Sequence, residues 1–156
     1  MELILLRHGK AENGYPGGDA VRGLVEKGRQ QARGAAKAAK AARQLPSIVL
    51  TSPLLRARQT AEIFCEEAGI PGPIIQSWLS CGMSASQAAN ELVAYQDFES
   101  VMLVGHEPDF SQLIDWFLGC GCGGVEVKKG AMACLLIRPP SQRGQLQWLV
   151  PPALLG

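Results

Sequence analysis

The chain has 156 residues, 47% of them hydrophobic and 19% charged, with a formal net charge of +1. That length suits a single domain over residues 1–156 with a self-sufficient apolar core. The near-neutral balance argues against a nucleic-acid partner, and no apolar run reaches the 18 residues a membrane span needs.

Glu2–Leu6 is a short apolar run that ends at Arg7 and His8, as a buried strand would. It is too short, and its flank too acidic, for a secretory signal, so a cytoplasmic protein is expected. Residues 7–23 are rich in Gly, Asn, Asp and Pro and read as a loop. Glu26–Arg43 is an Ala-rich helix with Ala32, Ala35, Ala36, Ala39 and Ala42 on one face. Arg29, Arg33, Lys37 and Lys40 form a basic stripe opposite, read as a solvated face. Pro46-Ser47 ends the helix, and Ile48–Leu50 is a second strand. Thr51-Ser52-Pro53 then leads into a helix over Leu55–Ala68, stopped by Gly69 and Pro71.

Ile74-Ile75 is a weak third strand. Ser84 with Gln87 forms a capping box for a helix through Ala94. Val101–Val104 is a strong apolar strand, and Gly105-His106-Glu107-Pro108 opens a helix with Pro108 in its first turn. Ala133–Ile137 and Gln145–Val150 read as a closing hairpin. Five cysteines in a leaderless chain point to reduced thiols. The one-residue gap of Cys120-Gly121-Cys122 is shorter than zinc-site spacing, so no metal is expected there. Trp78, Trp116 and Trp148 read as core or rim packing.

Strands alternating with helices, followed by a hairpin, predict an α/β sandwich with a mostly parallel sheet. Sites in such sheets lie past the carboxyl ends of the strands. Three segments fall there: Arg7-His8-Gly9, Thr51-Ser52-Pro53 with Arg56, and Gly105-His106. His8 and His106 are the only histidines of the chain, and each follows a strand. Arg7, Arg56 and Arg58 add guanidinium forks suited to phosphate oxygens. Positions 56 and 58 lie roughly 200° apart around a helix, so they cannot both face the site.

Other phosphate chemistries lack their parts. No Lys precedes Ser or Thr, no Cys has an Arg six positions later, and two histidines with scattered acids make a poor metal cluster. Elimination leaves histidine as the nucleophile.

Leu6-Arg7-His8-Gly9 resembles the RHG signature of the histidine phosphatase superfamily, which includes the phosphoglycerate mutases. Three further blocks resemble that family in order: Arg22–Ala32, Ser52-Pro53 through Arg56, Gln59, Thr60 and Ala61, and Val104–Pro108. The short length and the ending around Trp148 and Pro151 resemble the SixA-type phosphohistidine phosphatases. Leu79–Gly82 falls where larger members carry a glutamate acid, and no acid stands there.

The resemblance implies a phosphoglycerate-mutase-like three-layer α/β/α sandwich. It implies a phosphatase with His8 as nucleophile, with Arg7, Arg56 and His106 holding phosphate and Gly9 and Ser52 lining the site. Arg22 and Lys10 are further candidates for the phosphate or the substrate's rim. It implies no metal or cofactor. The implied substrate is a phosphorylated protein, such as a histidine-containing phosphotransfer domain, and the missing acid fits a P–N bond. A small-molecule phosphomonoesterase or a non-catalytic phosphohistidine-binding regulator are the alternatives. Arginines beside His8 would lower its pKa and bound phosphate would raise it, a balance the sequence leaves open.

Overall fold

The strand Glu2–Arg7 (β1) shows how the sheet is buried: Leu3 and Leu5 join one core cluster, Ile4 and Leu6 the other. A strand with apolar residues on both faces must be covered on both. The strand Ser100–Gly105 (β4) repeats the pattern, with Val101 and Leu103 on the first face and Met102 and Val104 on the second. A computed structural model describes residues 1–14, 16–121 and 123–156. It contains a six-stranded sheet in the order β3-β2-β4-β1-β5-β6, where β2 is Ile48–Thr51, β3 is Ile74–Ile75, β5 is Met132–Ile137 and β6 is Gly144–Val150. The first four strands run parallel, and β5 and β6 form the antiparallel hairpin beside β1.

The helices Glu26–Ala41 (α1) and Leu55–Ala68 (α2) cover one face through Ala35, Ala36, Ala39, Ala57, Ala61 and Phe64. The helices Ala85–Glu91 (α3) and Asp109–Leu118 (α4) cover the other through Ala88, Ala89, Phe110 and Leu113. This is the expected three-layer α/β/α arrangement.

Several boundaries differ from the sequence reading. α1 ends at Ala41, so Ala42 is its exposed C-cap and not part of the buried stripe. α3 ends at Glu91, and Leu92–Tyr95 continue as a tighter 3-10 turn, a common way to finish a helix. Its Ser84 Oγ accepts the Gln87 amide at 3.3 Å, one half of the expected capping box. Pro108 is the N-cap of α4 and not a first-turn residue, because its carbonyl accepts the Gln112 amide.

The strand order creates the crevice. β1 and β4 are adjacent, with Arg7 level with Gly105. From there the chain leaves β1 into α1 on one face and β4 into α4 on the other, a topological switch point. One residue past each strand end stand His8 and His106. Gly9 lies so close to Gly28 of α1 that a Cβ on it would fall 2.5 Å from the Gly28 carbonyl oxygen. A Cβ on Gly28 would in turn overlap the Lys10 carbonyl oxygen. Two glycines therefore let the loop after His8 rest directly on helix backbone.

Candidate active site

The His8 amide donates to Gly105 O at 3.0 Å and the Ser52 amide to Val104 O at 3.0 Å. The ladder thus continues one residue past β1 and β2 and sets His8, Ser52 and His106 side by side. The two imidazoles have centroids 5.3 Å apart at 55°. Both rings are buried, as are Ser52 and Arg56.

His8 Nδ1 lies 2.8 Å from Gly9 O. A carbonyl only accepts, so Nδ1 carries the proton and Nε2 keeps its lone pair. The His8 pKa is pushed down from 6.5 to about 3, chiefly by burial. The Gly9 carbonyl opposes this, while His106, Arg56 and Arg7 add to it. Desolvation, more than the neighbouring arginines, keeps the free ring neutral. His106 is pushed down to about 4, again first by burial and then by Arg56.

His106 Nε2 lies 2.7 Å from Ser52 Oγ, and Ser52 Oγ also accepts the Leu54 amide at 3.2 Å. The Ser52 hydroxyl can give its proton to Nε2, and in that tautomer the neutral ring's own proton sits on Nδ1. That Nδ1 is buried without a partner in the protein, and so are Arg7 Nε and Arg56 Nε. Arg58 Nε and Glu12 Oε2 share this condition among the described residues. A buried donor without an acceptor costs about 1–3 kcal/mol. Arg7, Arg56 and His106 each carry one, and all three residues lie close enough to His8 to lower its pKa.

Each arginine is also anchored. Arg7 Nη1 donates to Val127 O at 2.9 Å, and the Val127 amide lies 3.4 Å from Glu107 Oε2. Glu107 Oε1 accepts the Ser111 amide at 2.7 Å, which ties this chain of contacts to α4. Arg56 Nη1 donates to Asp19 O at 3.0 Å and Nη2 to Asp19 Oδ2 at 3.1 Å. Arg22 Nε donates to Asp19 Oδ1 at 2.8 Å, so Arg22 reaches the site's edge through Asp19. The Gly9 amide is taken by Thr60 Oγ1 at 3.1 Å. Gly9 therefore meets His8 through its carbonyl, and its N–H is not available to a phosphate oxygen. The Lys10 amide is held by Gln31, and Lys10 itself is exposed.

Sequence reasoning passed over Asp19, Thr60, Glu107 and Val127. Thr60 and Glu107 stand inside the quoted blocks, where only their neighbours received roles. Asp19 lies in a loop whose composition gave no reason to single it out. Asp109, at the start of α4, is also buried, and its carboxyl is raised by that burial against the amides of Met83 and Gly82. Its Oδ2 accepts the Gly82 amide at 2.9 Å and pins the 81–83 turn. Trp78 and Trp116 pack against one core cluster and Trp148 against the other. Cys122 lies outside the described residues, and Cys120 Sγ is 3.5 Å from Asp115 Oδ1.

Neutral buried histidines make stability depend on pH. Between about 6.5 and about 3 for His8, and about 4 for His106, the unfolded chain binds protons that the folded chain refuses. Stability then rises with pH through this window and is lost as pH falls through it. Urea denaturation at pH 7.5 and pH 4.5 should show the loss, and His8→Asn and His106→Asn should each reduce its size. An unchanged loss in both variants would contradict the assignment.

Residues 3–78 match the family model described as "Histidine phosphatase superfamily (branch 1)". No curated protein sequence matches the chain. Among solved structures, the protein histidine phosphatase SixA complexed with tungstate is 25% identical, with a TM-score of 0.88 over 100% of both chains. A structure assigned as the phosphohistidine phosphatase SixA of Agrobacterium tumefaciens is 25% identical, with a TM-score of 0.82 over 96% of both chains. The alpha-ribazole phosphatase from Shigella flexneri is 20% identical, with a TM-score of 0.75 over 97% of both chains, a likeness of fold. No described helix is long and apolar enough to cross a membrane.

Proposed function

We propose that this chain, which matches the histidine phosphatase superfamily over residues 3–78 and SixA over its whole length, removes phosphoryl groups from phosphohistidine on a protein substrate. The observation that carries this reading is the set of unpartnered buried donors on Arg7, Arg56 and His106 around the neutral His8. SixA, similar over the whole chain, was solved with tungstate, an oxyanion of the same class as phosphate.

In the proposed reaction His8 Nε2 attacks phosphorus in line, and its Nδ1–H stays on Gly9 O. Arg7, Arg56 and His106 hold the equatorial oxygens, where charge spreads in a loose transition state. Their donors are fixed before substrate arrives, so little reorganisation is needed. The guanidinium groups supply the positive charge, and the step runs without a metal. Water then attacks the phosphoryl group on His8, the ring leaves as the neutral tautomer, and inorganic phosphate is released.

Leaving-group chemistry supports the P–N bond. An alkoxide needs a proton from the protein. The residue at the Leu79–Gly82 turn that approaches Arg56 is Cys81, whose Sγ is 3.5 Å from Arg56 Nη2. Burial raises its thiol pKa, against the pull of Arg56, so it is a weak acid. The test compares a phosphohistidine peptide with a phosphoserine peptide of the same sequence. A kcat/KM at least about tenfold higher on phosphohistidine is expected. Comparable or reversed values would favour a phosphomonoesterase, and no turnover of either would favour a binding protein.

A further inference from the structure

A carboxylate at the mouth of an oxyanion site needs an explanation. Asp19 sits in the 3-10 turn Asp19–Val21, and its side chain is 62% exposed, whereas the Arg56 side chain it contacts is 4% exposed. The carboxylate therefore stands between the buried guanidinium and solvent. It is close enough to raise the His106 pKa and to act on Cys81. The slight burial of Asp19 would raise its own pKa, but Arg56 and Arg22 outweigh it and hold the carboxyl below its ordinary value. It is thus a carboxylate at neutral pH and a poor proton donor.

Its negative charge opposes a phosphate dianion. Holding Arg56 alone requires only an acceptor, which the Asp19 carbonyl already provides to Arg56 Nη1 at 3.0 Å. A formal charge at this place suits a substrate with a positive group beside phosphorus. Phosphohistidine is such a substrate when the ring nitrogen that does not carry phosphorus is protonated. We infer that Asp19 is a specificity-determining residue whose carboxylate accepts a hydrogen bond from that ring N–H and thereby favours P–N over P–O substrates. This rests on the phosphohistidine reading above.

The acceptor capacity is present. A carboxylate offers about four lone-pair sites. Arg22 Nε and Arg56 Nη2 each use one, on different oxygens. In the transfer step His8 Nε2 gives its lone pair to phosphorus while the substrate's P–N bond breaks. The bonding pair goes to the departing ring nitrogen. The proton already on the other ring nitrogen stays there, held by Asp19, and the ring leaves as neutral imidazole. No proton has to come from the protein.

Wild type, Asp19→Asn and Asp19→Glu are compared on a phosphohistidine peptide and on p-nitrophenyl phosphate, whose leaving group has no ring N–H. Inorganic phosphate serves as a competitive inhibitor. Asp19→Asn is expected to lose about tenfold in kcat/KM on phosphohistidine, one charge-assisted hydrogen bond. It should keep or gain activity on p-nitrophenyl phosphate and bind inorganic phosphate at least as tightly. Asp19→Glu should keep most of the preference. An equal fall on both substrates, with weaker phosphate binding, would make Asp19 a mere prop for Arg56 and overturn the inference. So would an unchanged substrate ratio in Asp19→Asn, or a ratio in Asp19→Glu as low as in Asp19→Asn. Wild type without any preference for phosphohistidine over phosphoserine would refute the functional reading itself, a result visible before either variant is measured.

Discussion

His8→Ala protein is expected to fold and to turn over phosphohistidine at less than about 10⁻⁴ of the wild-type rate, in line with removal of a covalent nucleophile. The ring is buried and its Nδ1 is held on Gly9 O, so its Nε2 is the nitrogen that presents a lone pair. His106 is the nearest ring, but its Nε2 is engaged with Ser52 Oγ at 2.7 Å. A rapid quench after a radiolabelled phosphodonor pulse should find acid-labile label on wild type and none on His8→Ala. Circular dichroism separates this result from unfolding, since the substitution leaves a small cavity at a strand end and not in the middle of the core. Residual turnover above about one per cent, or a label that survives the substitution, would move the nucleophile elsewhere.

Arg56→Ala is expected to carry the next largest loss, about 10²–10³ in kcat/KM. Arg56 is buried at the start of α2, and its side chain joins Asp19 and Cys81 beside the proposed phosphate position. Its removal takes away a charged fork and also leaves the Asp19 carboxylate with only Arg22 as a cationic partner. The uncompensated negative charge should weaken inhibition by inorganic phosphate in the same variant. Arg56→Lys should recover little, because an ammonium cannot reproduce the planar geometry that spans Asp19 O, Asp19 Oδ2 and a phosphate oxygen at once. Full rescue by lysine would mean that charge alone matters there. Steady-state kinetics with phosphate inhibition distinguishes these outcomes.

The elements that carry the site were legible because their signals are local. Leu3–Leu6 and Val101–Val104 are continuous apolar runs, and after one intervening residue each is followed by one of the chain's two histidines. Ser52-Pro53 before the helix and Gly69 and Pro71 after it mark its two ends, so α2 and its opening arginine could be placed close to where the structure has them. The helix ends were less exact. Ala42 and Leu92–Tyr95 continue a helical pattern, but the last turn of a helix is decided by where its orphan carbonyls find partners.

Local pattern could not say that β1 pairs with β4, whose partner residues lie about a hundred positions away. That pairing is what sets Arg7 level with Gly105 and makes the two histidines neighbours. The close approach of Gly9 to Gly28 and the grip of Arg56 on Asp19 are likewise contacts between distant segments. Burial decided the protonation states, which the sequence left as a contest between arginines and phosphate.

By itself, then, the order of residues determined the elements, the family signature and the cast of charged and imidazole groups, because periodicity and motif spacing act over a few residues at a time. Tertiary structure alone decided which donors stay unpartnered, which histidine nitrogen holds the proton and that a carboxylate stands at the mouth of the site. Hydrogen bonding and desolvation depend on what surrounds an atom in space, and strand order brings that surrounding from distant parts of the chain.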